Sequence, residues 1–255
     1  IGPNRPFRDL AWGLASRGFA VLRYDKRTFT YGARMAPDSV TIDTEVIDDV
    51  LAALAALRQQ PEVDDDRVFL LGHSLGAFTA PIIAERDGRL AGVIMLATSA
   101  RPIADVIRGQ LAHLASLAPA ADAATRARTE ALVAQIDSLA ASSLPPDARV
   151  LGAPVRYWQE LDALRPIDAA RRIDEPLLIL QGERDYQVTM EDFRIWQEAL
   201  QGRPGTTLRS FPRLDHLFMA GEGPSSPQEY MAAQRHVAPE VVDAITAWMR
   251  AAPSP

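Results

Sequence analysis

Short runs of uninterrupted apolar residues alternate along this chain with longer segments whose apolar residues recur every three to four positions, and no other feature restricts the fold as much. Val68-Phe69-Leu70-Leu71, Leu90-Ala91-Gly92-Val93-Ile94-Met95-Leu96 and Leu177-Leu178-Ile179-Leu180 contain no charged or amide residue, as expected of strands buried on both faces. Phe19-Ala20-Val21-Leu22 and Thr207–Phe211 are read as further strands. Between them lie helical patterns. Pro6–Arg17 places Phe7, Leu10, Ala11 and Leu14 on one face and stops at Gly18. Asp43–Arg58 carries the stripe Val46, Ile47, Val50, Leu51, Leu54 and Leu57, with Thr41 as its cap and Pro61 as its stop. Ala77–Arg86, where Pro81 is expected to introduce a kink, Met190–Leu200 and Glu240–Arg250 complete the set. Doubly buried strands separated by amphipathic helices specify an α/β fold, a mostly parallel sheet with helices on both faces. Such sheets bind ligands at the carboxyl ends of their strands.

The alternation stops from Arg101 to about Arg165, where the chain becomes alanine-rich and helical, punctuated by Pro119, Pro145, Pro146 and Pro154. The expected organisation is a core in two parts, 1–100 and 166–255, with an inserted helical cap over 101–165 that roofs the site. A helical excursion covering one sheet edge is the simpler alternative. The final Pro-Ser-Pro is expected to fray.

Composition excludes several function classes. A net charge of -6 with scattered basic residues leaves no stripe for a phosphate backbone, so nucleic acid is not an expected partner. No run approaches the roughly 18 apolar residues that span a bilayer, so no membrane association is expected; the chain reads as soluble, with the cytoplasm favoured. The absence of cysteine removes disulfides, thiolate metal sites and thiol nucleophiles. Asp64-Asp65-Asp66 reads as a solvated corner, so neither a metal nor another cofactor is expected. The oligomeric state is left open.

Gly72-His73-Ser74-Leu75-Gly76 stands between a strand pattern and a helix pattern, the setting of a nucleophilic serine raised on a tight turn. A serine hydroxyl at neutral pH needs a base, and the base needs an orienting group. Of the four histidines, His73 belongs to the turn and is expected to point away from the hydroxyl, His113 falls in the cap, and His236 lies in a polar segment. His216, in the loop after the last strand pattern, is the expected base. Gln181-Gly182-Glu183-Arg184-Asp185 supplies the acid, with Asp185 favoured and Glu183 second; Asp215 is too close to His216 and is expected to be structural. Arg101 is read either as a contact for an anionic substrate group or as an exposed cap-entry arginine. Tyr157, Trp158 and Phe218 are candidate lining for a substrate pocket.

On the residues 72–76, 181–185 and 214–216, supported by Ile1-Gly2-Pro3-Asn4-Arg5-Pro6-Phe7 and Val21-Leu22-Arg23-Tyr24-Asp25-Lys26-Arg27, the chain resembles a serine carboxylesterase of the bacterial α/β-hydrolase superfamily. The resemblance implies the α/β-hydrolase fold, a Ser74-His216-Asp185 triad, an acyl-enzyme mechanism on small-molecule esters, and the backbone N–H of Leu75 as one oxyanion donor. A peptidase or acyltransferase using the same triad, and a ligand-binding pseudo-hydrolase, are the competing readings. Relatives carry a His-Gly-x-Gly-like loop before the segment that matches 1–7, and these 255 residues have none. The natural protein is therefore expected to extend upstream of Ile1. A missing oxyanion donor costs about 2.7 to 4 kcal/mol, so the 255 residues alone are expected to catalyse poorly.

Overall fold

The computed structural model describes residues 1–36, 39–118, 120 and 122–252; the expected break at Pro119 and the fraying of 253–255 lie outside them. In chain order the elements begin with α1 (Pro6–Ala15), α2 (Arg27–Tyr31) and a π turn at Asp43–Ile47 that leads into α3 (Asp48–Arg58). Next come β1 (Phe69–His73), α4 (Leu75–Asp87), β2 (Gly92–Leu96), α5 (Ile103–Leu117), α6 (Ala123–Ala140), the short pair β3 (Arg149–Val150) and β4 (Ala153–Pro154), and α7 (Val155–Ala163). The chain closes with α8 (Pro166–Arg172), β5 (Leu177–Gly182), α9 (Met190–Ala199), β6 (Thr206–Phe211), α10 (Pro227–Ala232) and α11 (Pro239–Ala251).

Among the described residues the main sheet has four strands in the order β1-β2-β5-β6, all parallel. Side chains along these strands alternate between two cores. Leu70, Val93, Met95, Leu177 and Ile179 join the core that also takes residues of α3, α4, α8 and α9. Ile94, Leu96, Leu178 and Leu180 point to the other, formed with α1 and α11. Both faces are therefore covered, and each aliphatic side chain so buried contributes about 1.5 to 3 kcal/mol. That is why the two central strands, β2 and β5, read as apolar runs, whereas the outer strand β6 is buried only in part. The register His73↔Leu96, Leu96↔Leu180 and Gly182↔Phe211 brings the carboxyl ends of all four strands to one rim.

Residues 19–22 are not a strand. Among the described residues β1 pairs with β2 alone, so nothing completes a ladder for Phe19-Ala20-Val21-Leu22, and Val21 and Leu22 stay exposed. An apolar run does not become a strand without a neighbour to take its backbone N–H and C=O groups. The helix expected at 43–58 opens with the π turn, and Thr41 and Thr44 cap its start reciprocally: Thr44 N–H donates to Thr41 Oγ1 (3.1 Å) and Thr41 N–H to Thr44 Oγ1 (3.0 Å). α4 runs through Pro81 to Asp87 and is ended by Gly88 at φ 66°. The stretch expected to form the cap folds into α5, α6, β3, β4 and α7, with a small apolar cluster of its own around Ile107, Ile136, Leu139, Val150 and Val155.

Candidate active site

Ser74 joins β1 to α4 with φ 55° and ψ −117°, backbone angles that cost a non-glycine residue about 1 to 3 kcal/mol. Two features hold it there. The Ser74 N–H donates to Leu96 O at the end of β2 (2.9 Å), and Ser74 O accepts the first helical bond from Phe78 N–H (2.9 Å). Gly72 is obligatory, since a Cβ there would press on the Gly76 carbonyl and lie 2.6 Å from Ala77 N. Gly76 is under no such constraint: a Cβ at this position meets nothing within 4 Å. Leu75 is the first residue of α4, so its N–H has no partner within the helix. Among the described residues it makes no other backbone bond, which leaves a donor at the positive end of a 13-residue helix.

Asp185 and His216 meet although they follow different strands. His216 Nδ1–H donates to Asp185 Oδ2 at 2.7 Å, with His216 only 4% exposed. The same carboxylate accepts from Gln187 N–H (2.7 Å) and Val188 N–H (3.0 Å) on Oδ1 and from Gln181 Nε2 (3.2 Å) on Oδ2, which keeps it anchored and an acceptor. With the proton on Nδ1, the other ring nitrogen of His216 carries a lone pair. Asp215 shapes the loop from below, as expected of a structural residue. Fully buried, it accepts from Leu217 N–H (2.9 Å) and Met219 N–H (3.1 Å) and pairs with Arg235 (2.9 Å). Burial pushes its carboxyl above the usual range, opposed by the Met219 N–H and the Arg235 guanidinium.

His73 does not stand apart from this group. Its Nε2–H donates to the main-chain carbonyl of His216 (2.7 Å), and the two imidazole rings lie 4.7 Å apart. Burial, reinforced by the neighbouring His216, pushes the His73 imidazole down to about 4, so it is neutral at physiological pH. Sequence reasoning missed this contact, which joins residues 143 positions apart. Among the described residues the Ser74 hydroxyl makes no hydrogen bond, and a bond from it to His216 is not formed; in resting sites such contacts commonly tighten only on substrate binding.

Other expected residues fall elsewhere. Glu183 accepts from Ser210 Oγ (2.7 Å), and among the described residues the carboxylate bonded to the His216 imidazole is that of Asp185. Arg101 is neither exposed nor aimed at a ligand, being spent on Asp192, Glu191 and Thr189. Tyr157 is 8% exposed and packs in the main core, donating its hydroxyl to Glu45 (2.6 Å). Phe218, 1% exposed with φ 58°, packs against Phe211 and the α11 core. Each side chain is packed into its own core. Trp158 is half-buried, with Nε1–H donated to Val150 O (3.0 Å). His113 donates to Ser225 O (2.8 Å) and stacks on Tyr186 at 4.7 Å, and His236 bonds Asp9 (3.0 Å). Asp64 caps a short exposed turn. A cavity of about 640 Å³ opens at the amino ends of β2 and β5, the opposite rim from Ser74, and its arginines Arg89 and Arg172 are paired with Asp65 and Glu85.

A sequence model of the alpha/beta hydrolase family matches residues 4–233. Esterase EstD from Thermotoga maritima is 43% identical over 249 residues, which take in 98% of this chain and 58% of EstD. The chain thus spans less than two thirds of that relative's length. Among solved structures, Est1E from Butyrivibrio proteoclasticus is similar with a TM-score of 0.60 and 18% identity, covering 97% of this chain and 82% of that one. The esterase domain of a Rhodothermus marinus protein is similar with a TM-score of 0.54 and 20% identity, covering 96% and 80%. At these identities the structural likeness concerns the fold.

Proposed function

The chain belongs to the alpha/beta hydrolase family, and from that premise we propose that it is a serine hydrolase of carboxylic esters, working through an acyl-enzyme with Ser74 as nucleophile, His216 as general base and Asp185 as the group that orients the imidazole. Ser74 Oγ attacks the ester carbonyl carbon while its proton passes to His216 Nε2; the imidazolium then protonates the departing alcohol. Water repeats the sequence to release the acid and return the proton. The Leu75 N–H donates to the oxyanion that forms at each addition. The observation that carries this reading is the 2.7 Å bond from His216 Nδ1 to Asp185 Oδ2, which fixes the tautomer a base requires. The identity with EstD over nearly the whole chain supports ester chemistry.

The helical stretch 101–165 is proposed as the cap over this rim. Support comes from α5, whose His113 stacks on Tyr186, the neighbour of Asp185, and bonds Ser225. Trp158, of the three expected lining residues, keeps exposed surface and is the candidate pocket wall.

Replacing Ser74 with alanine tests the reading. Turnover of p-nitrophenyl butyrate is expected to fall by about 10⁴-fold or more with the fold intact. Turnover retained in that variant removes Ser74 from the mechanism.

A further inference from the structure

His216 follows β6 while Ser74 follows β1, and these are the two outer strands of the four. Three strand spacings of about 4.8 Å put their ends roughly 14 Å apart, so the loop that carries the base must run back across the rim over β5 and β2. Asp185 holds the imidazole of that loop from the β5 end. A second attachment comes from the β1 end. His73, the last residue of β1 and the immediate neighbour of Ser74, donates Nε2–H to the main-chain carbonyl of His216 at 2.7 Å. Its own ring is set edge-on against Phe7 (5.8 Å) and Phe218 (6.4 Å), which fixes where the donor lies.

We infer that His73 is a positioning residue: it ties the main chain of His216 to the strand that ends in Ser74, and so sets the separation of base and nucleophile. The inference rests on the triad proposed above. One bond holds the ring and the other holds the backbone, and together they define where Nε2 of His216 sits. Because a carbonyl only accepts, Nε2 of His73 is the protonated nitrogen, and the neutral imidazole supplies the bond without placing a positive charge beside the base. A positive His73 would oppose the imidazolium that His216 must become.

The test compares His73→Leu, His73→Gln and Ser74→Ala in the full chain, with steady-state kinetics on p-nitrophenyl butyrate and thermal melting of each. His73→Leu removes the donor and is expected to lower kcat by about 10- to 100-fold, as small misplacements of reacting groups do. KM is expected to stay within about twofold, since the lost contact is not to substrate. His73→Gln, whose amide N–H reaches the same carbonyl, is expected to recover kcat to within about threefold of the parent. Wild-type kcat in His73→Leu, with Ser74→Ala inactive, overturns the inference and leaves the triad standing. Equal losses in His73→Leu and His73→Gln also overturn it, because ring packing and not the hydrogen bond is then responsible. Turnover in Ser74→Ala overturns the triad reading itself. Should His73→Leu fail to fold, His73→Asn replaces it; its shorter amide falls short of the carbonyl, and wild-type kcat in that variant contradicts the inference.

Discussion

A Cβ on Gly182 would lie 2.5 Å from the carbonyl oxygen of Leu214 and 2.6 Å from that of Asp215, so the end of β5 and the turn before His216 touch backbone to backbone. Glu183 N–H donates to Phe211 O and Arg184 N–H to Leu214 O, each at 3.0 Å, which locks the two loops in register. Asp185 and His216 inherit their 2.7 Å bond from this contact.

Gly182→Ala should therefore damage both stability and chemistry. Parting the two backbones is expected to cost about 1 to 3 kcal/mol in urea unfolding, the usual penalty of overpacking. Ester turnover is expected to fall more than the loss of folded protein explains. Full activity would mean that the two loops are not coupled at this point.

Asp185→Asn keeps the shape of the side chain but no longer enforces the proton on His216 Nδ1. A drop in kcat of about 10³- to 10⁴-fold is expected, with Glu183→Gln within about twofold of the parent. Glu183 accepts from Ser210, whereas the His216 imidazole is bonded to Asp185. If Glu183→Gln were the inactive variant, the orienting acid would be misassigned.

Acid should destabilise the fold in a window set by His73. Its folded value, pushed down to about 4, lies below the ordinary 6.5, so between these pH values the unfolded chain binds the extra proton. Stability present above pH 6.5 is lost as pH falls towards 4, by at most about 3 kcal/mol from this group. Urea unfolding across that range should give a shallower slope for His73→Gln than for the parent. Identical slopes would show that His73 is not held neutral.

Tyr157→Phe separates core from pocket. The hydroxyl donates to Glu45 in the π turn, and loss of a bond to a charged group costs about 1.5 to 3 kcal/mol. Stability should fall by that order while KM for p-nitrophenyl esters changes by less than about twofold. A large KM change with unaltered stability would return Tyr157 to the substrate site.

The parts of the molecule legible in the sequence are those fixed by local rules. Val93 and Ile94, or Ile179 and Leu180, fall in opposite cores because strand side chains alternate, and an unbroken apolar run reports two covered faces. Ser74 stands out through Gly-x-Ser-x-Gly between a strand and a helix pattern, and Asp185 and His216 through their places after later strands; in the structure all three follow strands. Other features depend on distant partners. The His73–His216 bond and the Tyr157–Glu45 bond span 143 and 112 positions, with no periodicity to announce them. Phe19–Leu22 has the composition of a strand but finds no neighbour among the described residues, which composition does not reveal. Phe218, a candidate lining residue in the sequence, packs instead: the bonds of Asp215 to Leu217 and Met219 close its loop into a turn and set the ring in the core.

Covalent capture of the nucleophile tests the central claim most directly. After brief exposure to a fluorophosphonate, intact mass should show one added group, peptide mapping should place it on Ser74, and Ser74→Ala should take up none. An adduct on a different residue, or an unmodified protein that still turns over esters, would contradict the account.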